Sequence, residues 1–322
     1  MVDNARERSI VPGREAQGGD GERPPTGPAD HPTMAFAAVA AAALLWALAA
    51  VVARSLFDDG VEPLELVQAR AVLSALGLAL VPAVWRGPRG GLREALVLGL
   101  AIALVNAAYY LAIERLAVAV AIVLQYTGPA ILVGWTALVE KRRPGRDVIA
   151  ALVLAFAGVV LVSEVFAGDL GRLDLLGIAF GIAAAVLFAT YTLQSERAER
   201  RFGAVGALAR AFAVASLFWI VTQIPRGWPG ALFESEHVAG VIFVGLGGTL
   251  APFLLYIWAI GHLRSERAVI AATLEPLFAG LIAWVWLDQV LGPLQLAGGV
   301  LILVAVTTLQ VRVAQPLLAP EP

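Results

Sequence analysis

The chain has 322 residues, of which 59% are hydrophobic and 15% charged, where soluble domains carry about 45–50% and about 25%; an ordinary soluble globular domain is excluded and a membrane protein is expected. The formal net charge of -2 says little, because the placement of Arg and Lys along the loops matters more than their sum. The lack of cysteine excludes disulfides, iron–sulfur clusters and thiol catalysis. His31, His237 and His262 are scattered over loops and segment ends, so no metal site, cofactor or nucleic-acid partner is expected.

Residues 1–32 are rich in Gly, Pro and charge (GREAQGGDGERPPTGPAD) with no apolar run to bury, and read as a disordered tail. They hold no hydrophobic stretch of the length a signal peptide needs. From Thr33 the chain runs as ten apolar segments, at 33–56, 62–85, 92–113, 117–139, 147–166, 174–194, 203–224, 237–261, 266–287 and 292–312. About 20 residues of helix cross the roughly 30 Å hydrocarbon core, so each segment is a predicted span. The expected architecture is an all-α integral membrane protein of ten transmembrane helices, closed by a short tail at 315–322.

With the N-terminus placed inside, inner loops and ends carry Arg86, Arg89, Arg93, Lys141, Arg142, Arg143, Arg146, Arg197, Arg200, Arg201, Arg264, Arg267 and Arg312. The outer ends carry only Arg54, Arg115, Arg172 and Arg226. Short cytoplasmic loops are enriched in Arg and Lys, so both termini are expected in the cytoplasm.

Two halves are expected, at 33–168 and 169–314. Gln68-Ala69-Arg70 echoes Leu208-Ala209-Arg210, Trp46-Ala47 echoes Phe188-Ala189, Tyr109-Tyr110 is answered by Leu255-Tyr256, and Thr127-Gly128-Pro129 by Leu274-Glu275-Pro276. Five helices per half force the second to insert upside down. Charge agrees: the loop EKRRPGR (140–146) is basic and its counterpart LDQVLGP (287–293) is not, while FDDGVEPLE (57–65) is acidic and SERAERRFG (195–203) basic.

The tandem five-helix halves, the early Trp-Ala, the paired Ala-Arg and the prolines of TGPAILVGW and LEPLFAGLIAW resemble the EamA family of the drug/metabolite transporter superfamily. The resemblance extends from Thr33 to about Arg312. It implies a ten-helix inverted-repeat carrier of a bacterial inner membrane, many such carriers exporting amino acids or other small metabolites.

Glu275 is the anomaly in the ninth segment, AATLEPLFAGLIAW. A charge at the centre of a spanning helix costs roughly 2.5–3.5 kcal/mol on insertion scales and marks a functional residue or a polar contact between helices. Pro276 beside it cannot donate to the carbonyl of Ala272. In inverted-repeat carriers the cargo binds near the midplane where helices are interrupted, and here Pro129, Pro276 and the Gly245, Gly247, Gly248, Pro252 run supply interruptions. Candidate cargo contacts at that depth are Trp46, Asn106, Tyr109, Tyr110, Gln125, Tyr126, Tyr191, Tyr256, Trp258 and Thr273; the rings among them offer apolar faces with a polar tip, although tyrosines and tryptophans near helix ends also serve as an interfacial belt, the role read for Trp85, Trp228 and Trp286.

Arg70 and Arg210 lie about a third of the way into their segments. Either can snorkel to the nearer interface, or serve as counter-charge to Glu275 or to a solute carboxylate; Arg210 is the better placed partner of Glu275 by depth. Glu275 itself can exchange a proton as a cavity alternates between dry and wet, or accept from a cargo amine. Gly177 and Gly181 read as a helix-packing pair. The expected function is a secondary transporter moving small organic solutes outward, as a monomer or homodimer in the lipid bilayer. A facilitator, an importer and a non-transporting scaffold are the alternatives. A membrane-embedded enzyme lacks support, because Asp falls only in loops and at segment ends.

Overall fold

The computed structural model describes residues 32–82, 84, 90–116, 118–163, 174–286 and 292–314. Residues 1–31 and 315–322, with Trp85, Arg86, Arg89, Arg172 and the connection 287–291, lie outside the described residues. Every regular element that is described is helical.

α1 (Pro32–Asp58) leads through a tight turn to α2 (Pro63–Ala79), which opens on a proline in its first turn, where the missing N–H costs nothing. α3 (Leu92–Arg115) follows. The fourth apolar segment is then broken in two, α4 (Val118–Gln125) and α5 (Gly128–Leu138), with the turn at Tyr126 and Thr127 directly before Gly128-Pro129. α6 (Arg146–Val162) closes the first half. In the second half the ninth segment breaks at the matching place, between α10 (Ser265–Ala271) and α11 (Leu274–Trp286), one residue before Glu275-Pro276. The cause is shared: proline cannot supply the N–H its own helix would require of it, so the helix restarts with the proline in its first turn.

Between these lies α7 (Leu175–Gln223), hydrogen-bonded over 49 residues. At 1.5 Å per residue it would be about 74 Å long, more than twice a roughly 30 Å hydrocarbon core. Gly203 interrupts it at φ 67, ψ 166, a left-handed backbone setting that costs glycine little, dividing it into stretches of spanning length. Residues 195–202, expected as a loop, are helical up to that glycine; Arg200 pairs with Glu196 one turn earlier at 2.7 Å and supports the extra turns. Two short 3-10 turns (Ile224–Arg226 and Gly230–Phe233) lead to α8 (Val238–Ile242), a π-helical stretch Phe243–Leu250 and α9 (Ala251–His262). The glycine-rich run GLGGTLAP therefore loosens its helix by widening it. α12 (Pro293–Ala314) ends the bundle.

Among the described residues, the stretches Pro32–Asp58, Leu92–Ala112, Ala121–Leu138, Leu175–Arg226 and Val238–His262 are long and apolar enough to cross a membrane. The pattern of burial suits lipid rather than water: Leu76, Leu217, Val285 and Val300 face outward, whereas Arg70, Ser74, Thr192 and Thr249 are buried. Gly177 and Gly181 pack as expected, a Cβ on either meeting Leu116 or Leu124 at 2.7 and 2.6 Å.

The last helices of the two halves, α6 and α12, cross at their tightest on a pair of glycines. A Cβ at Gly158 would lie 2.7 Å from the carbonyl oxygen of Gly298, and a Cβ at Gly298 would lie 2.7 Å from that of Gly158. Gly158→Leu is therefore expected to destabilise the bundle by about 1–3 kcal/mol, the cost of overpacking a tight contact. Thermal unfolding in detergent measures this, with Gly134→Leu as the control because a Cβ there meets nothing within 4 Å.

Candidate substrate cavity

Helices α1, α2, α3, α4, α7, α9 and α11 enclose two adjoining cavities of about 370 and 430 Å³. Both are walled by Ala50, Arg54, Tyr109, Gln125 and Glu275. The first continues to Trp46, Phe57, Pro63, Arg70, Asn106, Tyr110, Phe188, Tyr191 and Phe253, the second to Asp58, Tyr126 and Pro276. Arg54, Phe57, Asp58 and Pro63 belong to the end of α1 and the start of α2, so the space reaches toward the end of the bundle opposite the arginine-rich loops.

With Arg54 exposed and paired with Asp58 at 2.9 Å, Arg70 is the buried cation in this space. It does not snorkel: it is 7% exposed and held on four sides. Its Nε donates to Thr249 Oγ1 (2.7 Å), Nη1 donates to Asn106 Oδ1 (2.9 Å) and Tyr110 Oη (3.2 Å), and Nη2 donates to the Gly248 carbonyl (3.3 Å). Two of these acceptors lie on the π-helical stretch, which α2 can approach at Gly245, where a Cβ would strike Leu73, and which α1 can approach at Gly248, where a Cβ would strike Ala49. Ser74, one turn further along α2, donates to the Gly245 carbonyl at 3.0 Å. The π turn thus presents its carbonyls to α2, and α2 answers with a guanidinium and a hydroxyl.

Glu275 is the anion that lines both cavities. Tyr126, at the break between α4 and α5, reaches across to it with its hydroxyl 2.8 Å from Oε2 and 3.3 Å from the Ala272 carbonyl. The carbonyl that Pro276 leaves without its usual donor is closed by that hydroxyl and by the Glu275 N–H at 3.0 Å. A single tyrosine therefore stitches one broken helix to the other. Arg210, expected as the partner of Glu275, sits elsewhere: it donates to the Gly206 carbonyl at 2.9 Å and stacks on Phe202 at 4.3 Å. Depth along the sequence did not decide the pairing, because Arg70 and Glu275 both line the cavity from different helices.

Trp46, Asn106, Tyr109, Tyr110, Gln125, Tyr126 and Tyr191 stand in the cavity walls as the sequence indicated. Gln125 Oε1 is buried with no hydrogen-bond partner among the described residues. Tyr256 is fully buried behind the wall, packed on Trp46 at 5.4 Å with its hydroxyl 3.3 Å from Thr192 Oγ1. Two further candidates are not among the lining residues either. Thr273 turns its hydroxyl to the Ile270 carbonyl at 2.6 Å, capping α10, and Trp258 packs on His262 at 4.2 Å. Pro129 and Pro252 are buried helix-start prolines and act through the backbone. Phe57, Phe188 and Phe253 were not singled out as lining residues. Phe188 had a signal, since it is the repeat counterpart of the lining Trp46; Phe57 and Phe253 had none beyond being aromatic. Trp228 is exposed and stacked on Phe233 at 5.0 Å, in keeping with a belt residue.

The EamA-like transporter family model matches residues 33–164 and 175–310. Among curated proteins the chain is similar to an uncharacterized transporter of Archaeoglobus fulgidus, 28% identical over 220 residues, 65% of this chain and 74% of that protein. It is 27% identical over 198 residues to the threonine/homoserine exporter RhtA of Escherichia coli K12, 62% of this chain and 64% of the exporter. It is 29% identical over 181 residues to the uncharacterized inner membrane transporter YicL of Salmonella typhimurium, 56% of this chain and 59% of that protein. The chain thus matches less than two thirds of the length of the last two. A solved crystal structure superposes with a TM-score of 0.69 at 22% identity, over 89% of this chain and 99% of the other, a likeness of fold.

Arg70→Lys keeps the charge but replaces a fork with a point donor that cannot span Thr249, Asn106 and Gly248 together. We expect a loss of about 1.5–3 kcal/mol in unfolding free energy, the worth of a charge-assisted hydrogen bond, read by thermal unfolding in detergent.

Proposed function

The chain belongs to the EamA-like transporter family, and from that premise we propose an inner-membrane secondary transporter of ten spans in two inverted halves, exporting amino acids or closely related metabolites by alternating access. The observation that carries the reading is one cavity, between the two matched repeats, that holds the buried Arg70 guanidinium and the Glu275 carboxylate on a largely apolar, aromatic wall. Its volume of about 370 Å³ is in the range of small-molecule sites.

The chemistry suits a zwitterion. Arg70 spends four N–H contacts on the protein, and its Asn106 and Tyr110 acceptors are side chains that a solute carboxylate can replace. Glu275 accepts from Tyr126, and a solute ammonium can take that place or share it, with the buried Gln125 Oε1 as a second acceptor nearby. Phe57, Phe188, Tyr191 and Phe253 leave an apolar face for the side chain. RhtA, at 27% identity, is named for threonine and homoserine, small amino acids that such a space accommodates.

Proton coupling is the further element. A carboxyl whose hydroxyl partner can both donate and accept keeps a hydrogen bond whether or not it carries the proton, so Glu275 can load and release one without breaking its contact to α4.

In proteoliposomes a gradient of labelled threonine, homoserine or a bulkier amino acid is expected to drive counterflow; a broad amino-acid and metabolite panel without flux defeats the transporter reading. Glu275→Gln is expected to remove the acceleration of flux by a pH gradient and to weaken transport at least tenfold, the equivalent of about 1.4 kcal/mol. Unchanged pH dependence assigns Glu275 a structural role. Single cysteines at Gly145 and Gly292 are expected to react with an impermeant reagent from opposite sides of the membrane; reaction from one side alone rules out inverted halves.

A further inference from the structure

We infer that Arg142, held between the buried carboxylates of Glu196 and Glu266, latches the arginine-rich end of the bundle shut, and that solute passes that end only when this guanidinium leaves them. The inference rests on the alternating-access reading and adds the residues that form the closed end.

The placement begins with a turn. Beyond the end of α5 at Leu138 the chain turns on a left-handed residue, Lys141 at φ 55, and the next N–H, that of Arg142, donates back to the Thr136 carbonyl at 2.9 Å. A non-glycine residue in this setting is uncommon and fixes the direction of the chain beyond it. It directs Arg142 back beneath the bundle, toward two copies of one tetrapeptide: Ser195-Glu196-Arg197-Ala198 in α7 and Ser265-Glu266-Arg267-Ala268 at the start of α10. Glu196 and Glu266 are 6% and 5% exposed. Arg142 Nη2 pairs most closely with Glu140 of its own turn, at 2.5 Å, and lies 4.0 Å from Glu266, while Nη1 lies 3.6 Å from Glu196, whose Oε1 also meets Arg200 at 2.7 Å. Arg142 belongs to the first matched repeat and both glutamates to the second, so one side chain ties the halves at the end away from Arg54, Phe57 and Pro63, where the cavity reaches outward.

Two neighbours reinforce it. Arg197 meets Glu140 at 2.9 Å, and Arg267 meets Asp147 at 2.9 Å while donating to the Leu309 carbonyl at 2.8 Å. Across the other end the halves are also joined, by Arg115 and Asp174 at 3.2 Å, but that pair is half-exposed and neither residue lines the cavity.

The latch is poised rather than locked. Arg142 Nε, Glu196 Oε2 and Glu266 Oε2 are buried without a partner among the described residues. Buried polar atoms left in this way cost free energy, and each gains a partner on meeting water. The Arg142 guanidinium nonetheless holds its proton more tightly than usual: partial burial works against its charge, and Glu266, Glu196 and Glu140 together outweigh that. Buried ion pairs contribute little net stability but select one arrangement over another, the property a two-state closure needs.

The chain has no cysteine, so a single reporter can be placed at Ala50, which is exposed into both cavities. In oriented membrane vesicles, Ala50→Cys is expected to react with an impermeant maleimide at least tenfold faster from the outer side than from the cytoplasmic side. Arg142→Gln, and independently the pair Glu196→Gln with Glu266→Gln, are expected to raise the cytoplasmic rate at least tenfold, whereas Arg142→Lys, whose single ammonium cannot bridge both carboxylates, gives a smaller rise. A cytoplasmic rate unmoved in every variant that keeps the parental elution profile in detergent overturns the latch. Labelling needs no solute, so a transporter without an identified cargo but with a responsive reporter loses only the amino-acid reading, and measured flux with an indifferent reporter loses only the latch.

Discussion

An arginine inside a hydrocarbon slab is tolerated only when its donors are occupied by the protein, and the cavity of this chain is built around that demand. Arg70, carried by α2, finds its acceptors on two other elements at once: α3 offers Asn106 and Tyr110, and the π-helical stretch offers Thr249 and the Gly248 carbonyl. The Gly248 carbonyl is free for the guanidinium because the residue four positions on, Pro252, has no N–H to donate. The close approach allowed by Gly245 brings α2 near enough to the π-helical stretch to use it, while Gly248 admits α1 at Ala49. Polar residue, irregular helix and glycines are therefore one device, and any one of them alone would be a defect in a membrane.

The two broken helices obey the same rule by a different route. Each frees backbone groups at a proline, at 126–127 in the first half and 272–273 in the second. They are placed so that Tyr126 from one break serves Glu275 and Ala272 at the other. The frame is symmetric, with a proline at matching positions, and the decoration is not, since Gly128 stands where the second half has Glu275. Gly128 also has a packing reason of its own: a Cβ there would lie 2.9 Å from the ring of Phe188 and 3.0 Å from the Ala185 carbonyl. The first half needs a small residue at this point to let α7 in, and the second half, relieved of that contact, has room for an acid.

Much of this was legible in the sequence. Hydropathy marked the apolar helices among the described residues, the prolines located both breaks, the glycine run located the widened helix, and seven of the ten residues named for cargo contact line the cavities. What remained hidden depended on distance in space. Tyr126 and Glu275 are 149 positions apart, and no periodicity connects them. The choice between Arg70 and Arg210 turned on which helix faces the cavity, which depth in a segment does not encode. The charged run at 195–203 was mistaken for a loop because charge marks the membrane edge but does not end a helix; that took Gly203, whose positive φ is a property of the folded backbone.

The contrast between the two arginines has a physical meaning of its own. Ala69-Arg70 and Ala209-Arg210 occupy equivalent places in the repeat, yet one is buried in a hydrogen-bonded cavity wall and the other lies half-buried against Phe202 near the arginine-rich end. If the halves insert in opposite senses, equivalent residues sit at mirrored depths, and a fully symmetric structure would open equally to both sides, which for a carrier is a leak. A carrier must hold its halves in different states at any moment. The wide space beside Arg70 and the ion pairs around Arg142 lie toward opposite ends of the described bundle, the kind of asymmetry that the proposed alternation between two states requires.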